Sequence, residues 1–485
     1  MVRCTCVLTS LFLLLTGCGS DDEERPPITV PTVQPPAPRS AMPGERVVDG
    51  WQACGDGVEC TTIEVPVDYA DPEGARLSLA LNRARAPSGL FRGSIVINPG
   101  GPGGSGKDFL SALLTLGAQG VFGGFDLVGF DPRGVADSGG MDCAAAAPVL
   151  STVYREGGID GLIAAFGEFE RGCEQSDPAL FSALGSINVV RDLDAIRQAL
   201  GSEQLNFYGA SYGSRLGALY AQMFPEQTRA IVLDGVVQPV ADHVTWISEE
   251  FDAVLAGQDS FLRACADGTL DCPDDPAGVF EQLSVEVAGV IGGLDGLPAL
   301  WSTYMSIPGG QALMAQLLRA YVDERDAVDM PGGAAGPAEE APPMLNLGVN
   351  VADNLAVHCI DNTNDPPTAA ELDALIRSAF ARSPVFAPLL YAAAACLASP
   401  VRRDPVPPLT APGSPPLLII GGTLDTRTPF AWAEEMRASL ENAVLVSSAH
   451  LGHIALVSDL PCPVLLMRDY FRDLTLPPDG TRCER

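Results

Sequence analysis

The chain has 485 residues, with 61 Asp and Glu against 29 Lys and Arg, giving a formal charge of −32. So acidic a protein lacks the basic face that phosphates require, which excludes nucleic-acid binding. Hydrophobic residues make up 47% and charged residues 19%, and the mean hydropathy is +0.18; that is too apolar for a disordered chain and enough to bury a large core.

At the N-terminus, Arg3 precedes an apolar stretch from Val7 to Leu15 that only Thr9 and Ser10 interrupt. It is too short to span a bilayer and has the length of a signal-peptide core. It runs into Leu15-Thr16-Gly17-Cys18, which resembles the bacterial lipobox, where the peptide is cut before the Cys and the thiol carries a lipid. An ordinary cleaved signal followed by a coincidental Cys is the alternative. Residues 1–17 therefore read as a lipoprotein signal peptide, and 18–48, with GSDDEE and the Pro-rich run from Pro26 to Pro43, as a solvated spacer. The expected location is the cell envelope, with the membrane reached only through a lipid on Cys18.

This placement bears on the thirteen cysteines. Cys4 and Cys6 leave with the signal and Cys18 is lipidated, so an even set remains in an oxidising compartment. Pairing neighbours along the chain gives Cys54 with Cys60, Cys143 with Cys173, Cys265 with Cys272, Cys359 with Cys396, and Cys462 with Cys483, although spacing alone does not fix connectivity. These spacings lack the paired C-x-x-C or His partners of a zinc site, so neither a metal nor a cofactor is expected.

After the spacer, Thr62 to Pro66 and Leu77 to Arg85 alternate apolar and polar residues as half-buried strands do. More continuous β-rich runs follow. Ser94 to Ile97 leads into NPGGPGGSG, Phe125 to Phe130 into DPRG, Leu205 to Tyr208 into GASYG, Ala230 to Leu233 into Asp234, and Leu417 to Ile420 into GGTLD. Helical patterns lie between them, notably Val189 to Leu200 with Leu193, Ile196 and Leu200 on one face. Strands buried on both faces and alternating with helices predict a mostly parallel α/β sheet with helices on both faces. From about Val240 to Pro400 the pattern turns helical, as in Phe251 to Ala266 and Ala312 to Val322, which predicts a helical cap inserted into the sheet domain. The expected partition is 49–240 for the first part of the sheet domain, 241–400 for the cap and 401–485 for the return.

Gly209-Ala210-Ser211-Tyr212-Gly213 lies between a strand and a helical run, the context in which G-x-S-x-G forms a strained turn that pushes a nucleophilic hydroxyl outward. Such a serine needs a base, and the base an orienting carboxylate. Asp425 follows a late strand, and His450 and His453 follow the next β-like segment, Val444 to Val446, so the order Ser, Asp, His is met. Gly452 before His453 allows the turn that carries an imidazole over the sheet edge, which favours His453; for His450 a surface position is an equal alternative, and Asp234 remains the alternative carboxylate. Gly101 to Lys107 spells G-x-x-x-x-G-K, but Asp108 replaces the Ser or Thr of a phosphate loop. The better reading is an oxyanion loop, with the N–H groups of Gly101 and Tyr212 facing a substrate carbonyl oxygen.

Together, NPGGPGGSG, DLVGFDPRGVADSG, NFYGASYGSRLGALYAQMFP, IVLDGVV, AVHCIDN and GGTLDTRTP closely resemble the secreted bacterial tripeptidyl aminopeptidases of the α/β-hydrolase superfamily, relatives of the prolyl aminopeptidases. The likeness runs from about Trp51 to Cys483. It implies an α/β-hydrolase fold and a triad of Ser211, Asp425 and His453, with the glycine-rich loop at Gly100 to Gly104. It places Asp131 to Gly134 at a strand end where Arg133 ties loops together. Pro99 stands where prolyl aminopeptidases carry the His of HGGPG. The implied activity is that of a serine exopeptidase acting on peptides with a free N-terminus. A carboxyl-ester hydrolase and a non-catalytic binding lipoprotein are the alternatives. An exopeptidase of this kind must bind a terminal ammonium, for which Asp361, Glu249 and Glu250 are the candidates.

Overall fold

The computed structural model describes residues 50–55, 57–87, 89–141, 150–240, 242–287, 301, 305, 309–329, 351–401 and 403–484. The signal peptide, Cys18, the spacer and Cys143 lie outside the described residues.

Ten strands form one sheet: β1 (Gln52–Gly55), β2 (Val58–Pro66), β3 (Arg76–Ala84), β4 (Ser94–Asn98), β5 (Asp126–Phe130), β6 (Leu205–Ala210), β7 (Thr228–Asp234), β8 (Leu417–Leu424), β9 (Ala443–Leu451) and β10 (Thr481–Cys483). Their spatial order is β1-β2-β3-β5-β4-β6-β7-β8-β9-β10. The first three are antiparallel, β3 is antiparallel to β5, and every pairing from β5 to β10 is parallel. Both faces are buried, as the apolar runs predicted. Phe207, Ile231, Leu233, Leu417 and Ile419 join one apolar cluster, whereas their neighbours Tyr208, Ala230, Val232, Leu418 and Ile420 join another. That alternation is the two-residue period of a strand sandwiched between layers.

The chain reverses direction across the sheet at β4, with β5 on one side and β6 on the other. In an open α/β sheet the crevice beyond the carboxyl ends of strands at such a switch point is where ligands bind. Here those ends carry Asn98 of β4 and the Ser211 turn after β6.

β1 and β10 were not legible as strands. Both are short edges, and each contains a disulfide cysteine: Cys54 is joined to Cys60, and Cys462 to Cys483. Cys265–Cys272 and Cys359–Cys396 are also paired as expected. Between β7 and β8 the described residues form no strand. They build the helices His243–Ala266, Pro276–Val287, Gly310–Asp329, Val351–Asp361, Ala369–Arg382 and Ala395–Ala398, with a 3-10 stretch at Ala387–Ala394. Asp242 starts the first by accepting the N–H groups of Val244 and Thr245, each at 3.1 Å. Thr368 and Glu371 form a capping box on the fifth. Trp301 is buried among Phe261, Phe280 and Phe386, with ring centroids 5.4 to 5.8 Å away. Arg133 does tie loops together: it grips Asp192 with two bonds of 2.7 Å and donates to the carbonyls of Pro66, Val67 and Ala183.

Candidate active site

Ser211 has φ of 55°, a left-handed conformation that strains a residue with a Cβ. The surrounding chain over-determines it. The Ser211 N–H donates to the Asp234 carbonyl at 2.8 Å, and the Ser211 carbonyl accepts the Ser214 hydroxyl at 2.6 Å and the Ser214 N–H at 2.9 Å. The flanking glycines are steric requirements: a Cβ on Gly209 would lie 2.2 Å from the Gly213 carbonyl oxygen, and one on Gly213 would lie 2.8 Å from Asn98 Oδ1. The helix Gly213–Met223 begins directly behind, so its N-terminal field favours negative charge at this point.

At the end of β8, Asp425 is buried and faces His453, whose Nδ1 lies 2.9 Å from Oδ2 and 3.0 Å from Oδ1. The same carboxylate accepts the N–H groups of Arg427 at 2.8 Å and Thr428 at 2.9 Å, and the Thr428 hydroxyl at 2.9 Å. Burial pushes this carboxyl up, but the His453 ring and these donors outweigh it, and the group sits below the usual carboxylate range. With Nδ1 engaged, Nε2 is the nitrogen left to act on a substrate or nucleophile. The ring also lies against Gly235, where a Cβ would be 3.0 Å from His453 Cε1. Gly235 directly follows Asp234, whose carbonyl anchors Ser211, so serine and imidazole meet the same stretch of backbone. The inserted segment contributes here too: the His453 N–H donates to the Met305 carbonyl at 3.2 Å.

The alternatives are placed elsewhere. His450 is no surface residue. It is buried behind Asp425, with Nδ1 bonded to the Ser448 hydroxyl at 2.9 Å and Nε2 unpartnered among the described residues, and burial lowers its pKa. A Cβ on Gly422 would touch both His450 Cε1 and Asp425 Cβ, at 2.9 and 3.1 Å. Asp234 holds chain rather than imidazole. Its oxygens accept the Tyr208 hydroxyl at 2.7 Å and the N–H groups of Ala455 and Leu456 at 2.8 and 2.9 Å.

The glycine-rich loop abuts the serine turn. A Cβ on Gly100 would lie 2.7 Å from the Tyr212 nitrogen and 2.9 Å from Ser211 Cβ. The loop is shaped by Gly100 N–H donating to Asn98 Oδ1 at 2.9 Å and Gly104 N–H donating to the Gly100 carbonyl at 3.0 Å. Neither the Gly101 nor the Tyr212 N–H has a protein acceptor among the described residues.

The three carboxylates considered for a substrate ammonium differ sharply in setting. Asp361 is fully buried, with its oxygens facing Ser186 and Tyr212. Glu250 accepts the Trp246 indole N–H at 3.0 Å and pairs with Arg427 at 2.5 Å. Glu249 accepts the Trp432 indole N–H and has no cationic partner among the described residues. The carboxyl of Glu435 is pushed up by its own burial and by the charge of Glu249, so the two share one negative spot. Met305, Ser186 and Arg215 carry no sequence signal for a role here, because their contacts depend on the placement of the insertion. Thr428 does have one, in the D-x-x-T spacing of GGTLDTRTP.

A left-handed serine between strand and helix, an oxyanion-type loop and a buried His–Asp pair at a sheet switch point define a serine hydrolase of the α/β-hydrolase fold. Two family models match the chain: residues 93–266 match the family described as alpha/beta hydrolase fold, and residues 383–483 match the family described as TAP-like protein. The chain is 29% identical to the serine protease Hip1 of Mycobacterium tuberculosis, over 98% of this chain and 96% of that one. It is also 29% identical to the tripeptidyl aminopeptidase of Streptomyces lividans, over 89% and 87% of the two chains. Carboxylesterase B of Mycobacterium tuberculosis is 28% identical, over 98% and 97%.

Proposed function

We propose that the protein is a serine exopeptidase that releases short peptides or single residues from the free N-terminus of peptides through an acyl-enzyme on Ser211. The observation that carries this reading is the buried Asp425–His453 pair lying against the backbone that anchors the left-handed Ser211. Ser211 Oγ attacks the scissile carbonyl while His453 Nε2 takes its proton, and Asp425 holds the ring and stabilises the imidazolium. The N–H groups of Tyr212 and Gly101 receive the oxyanion. His453 then gives its proton to the leaving amine, and water, activated by the same imidazole, releases the acyl group.

Relatives named as a serine protease and a tripeptidyl aminopeptidase favour a peptide substrate. The relative named carboxylesterase B supports ester hydrolysis as the second reading, since the same machinery serves both bonds. Glu249, half-buried and without a cationic partner among the described residues, is the group we assign to the substrate ammonium; Glu250 is paired with Arg427 and Asp361 is bonded to Ser186. Free and N-blocked peptide anilides assayed beside p-nitrophenyl esters separate the readings. Free-terminus peptides are expected to be cut fastest, and equal turnover of blocked peptides would overturn the exopeptidase assignment. Ser211→Ala is expected to abolish turnover, and Glu249→Gln to raise KM about tenfold for free-terminus peptides alone.

The protein is further proposed to be exported and anchored through a lipid on Cys18. The lipobox-like sequence supports this, and disulfides fit an oxidising compartment. Labelled fatty acid should enter the full-length protein and not its Cys18→Ser variant.

A further inference from the structure

Tyr212, the residue after the nucleophile, carries a hydroxyl that the chemistry above does not use. The residue is buried, and its ring is met by groups from three separate parts of the chain. Its hydroxyl hydrogen-bonds to Ser186 Oγ, which in turn donates to Asp361 Oδ2; the tyrosine oxygen itself lies 3.4 Å from that Oδ2. The other carboxylate oxygen accepts the Ser186 N–H at 2.9 Å. Asp361 therefore caps the helix Ser186–Ala199 from a distant part of the sequence, at a terminus where Gly185 supplies no side-chain cap. Gly185 makes the approach possible, because a Cβ there would lie 2.6 Å from Ile360 Cγ2. Arg215 lies over the Tyr212 ring, 5.9 Å from its centroid, and supplies the opposing charge to Asp361.

Asp361 is held as firmly as it holds others. It ends the helix Val351–Asp361, two residues beyond Cys359, which is bonded to Cys396. The carbonyls of Ile360 and Asp361 accept the N–H groups of Asp404 and Val406 at 2.9 and 3.1 Å. Burial and the dipole of its own helix oppose the charge of Asp361, while the N-terminus of Ser186–Ala199 and Arg215 favour it. The network it anchors ends on Tyr212, one of the two residues whose backbone N–H groups are assigned above to the substrate oxyanion.

We propose that Asp361, acting through Ser186, is a positioning residue of the proposed hydrolase: it fixes the Tyr212 ring and so aims the Tyr212 N–H at the developing oxyanion. This rests on the reading of Ser211 as nucleophile. Complete loss of one oxyanion donor lowers kcat by roughly 10²–10³. Misaiming it should lower kcat by about tenfold in Tyr212→Phe and Ser186→Ala, and by about thirtyfold in Asp361→Asn, with KM within about threefold of wild type.

The test measures kcat and KM on a peptide anilide, the inhibition constant of a peptide boronic acid that mimics the tetrahedral state, and the rate at which a fluorophosphonate labels Ser211. Boronate affinity and labelling rate are expected to fall in step with kcat/KM while KM holds. Variants that bind boronate and react with fluorophosphonate as wild type does, or that lose only KM, would overturn the proposal. Wild type that is not labelled at Ser211 would overturn the nucleophile assignment itself and the proposal with it. Tyr212→Phe and Ser186→Ala each remove a single oxygen, so they decide the matter if Asp361→Asn does not fold.

Discussion

The ends of β7 and β8 look alike in sequence, each an apolar run closing near an aspartate, yet the two carboxylates behave in opposite ways. Both Asp234 and Asp425 are buried, and burial pushes each carboxyl upward. At Asp234 that effect wins, because its partners are a tyrosine hydroxyl and two backbone N–H groups, with His450 contributing opposite charge from nearby. At Asp425 it loses, because His453 adds a chargeable ring to three hydrogen bonds. Burial therefore does not set the direction; the partner does. Glu170 completes the series. It is buried with neither oxygen hydrogen-bonded among the described residues, and burial, only partly offset by the nearby Ser399 hydroxyl, pushes its pKa up to about 7.

The largest expected effect separates the first two. Asp425→Asn keeps the shape but turns a donor toward His453 Nδ1, which favours the wrong tautomer, and kcat should fall by about 10⁴. Asp234→Asn leaves one of the N–H groups of Ala455 or Leu456 without its acceptor, just after His453. The expected loss is about 1–3 kcal/mol of stability and roughly tenfold in kcat as that loop loosens. Turnover and urea titrations of both variants check this. If Asp234→Asn fell as far in kcat as Asp425→Asn, the assignment of the two carboxylates would be reversed.

Sequence patterning reached the sheet domain further than the insertion for a physical reason. Strand ends, the G-x-S-x-G turn and the order of Ser, Asp and His are local: Gly209 and Gly213 are demanded by contacts within a few residues of Ser211 or with the adjacent strand. Arg133 was named through the family resemblance instead, since its partners Asp192, Ala183, Val67 and Pro66 all come from distant parts of the chain. What the insertion adds is written nowhere along the chain. The Met305 carbonyl under the His453 N–H and the Gly257 backbone against Thr426, where a Cβ would come within 2.3 Å of Cγ2, arise only when distant helices dock. Within the sheet domain, the burial of His450 was left open in the sequence, since it depends on Gly422 and Asp425 closing over it. Asp361 was visible as a residue worth naming, but only the approach of Gly185 and Ser186 gives it a partner.

The smallest effect on activity, and none on kcat, is expected at Glu170, where burial is opposed by a hydroxyl and by no charged group among the described residues. Its carboxyl titrates at about 7 in the folded protein against 4.5 for the free group, so the unfolded chain releases this proton first. Between those two values the folded state binds more protons, and stability falls as pH rises. At 1.36 kcal/mol per unit, the difference amounts to roughly 3 kcal/mol once pH exceeds 7. Glu170→Gln removes the ionisation while keeping the shape. Relative to wild type, its urea midpoint should therefore gain steadily from pH 5 to pH 8, with kcat unchanged at each pH. An equal pH dependence in both proteins would mean that Glu170 finds a partner when it ionises, and the ordering of the three carboxylates by their partners would fail at its simplest member.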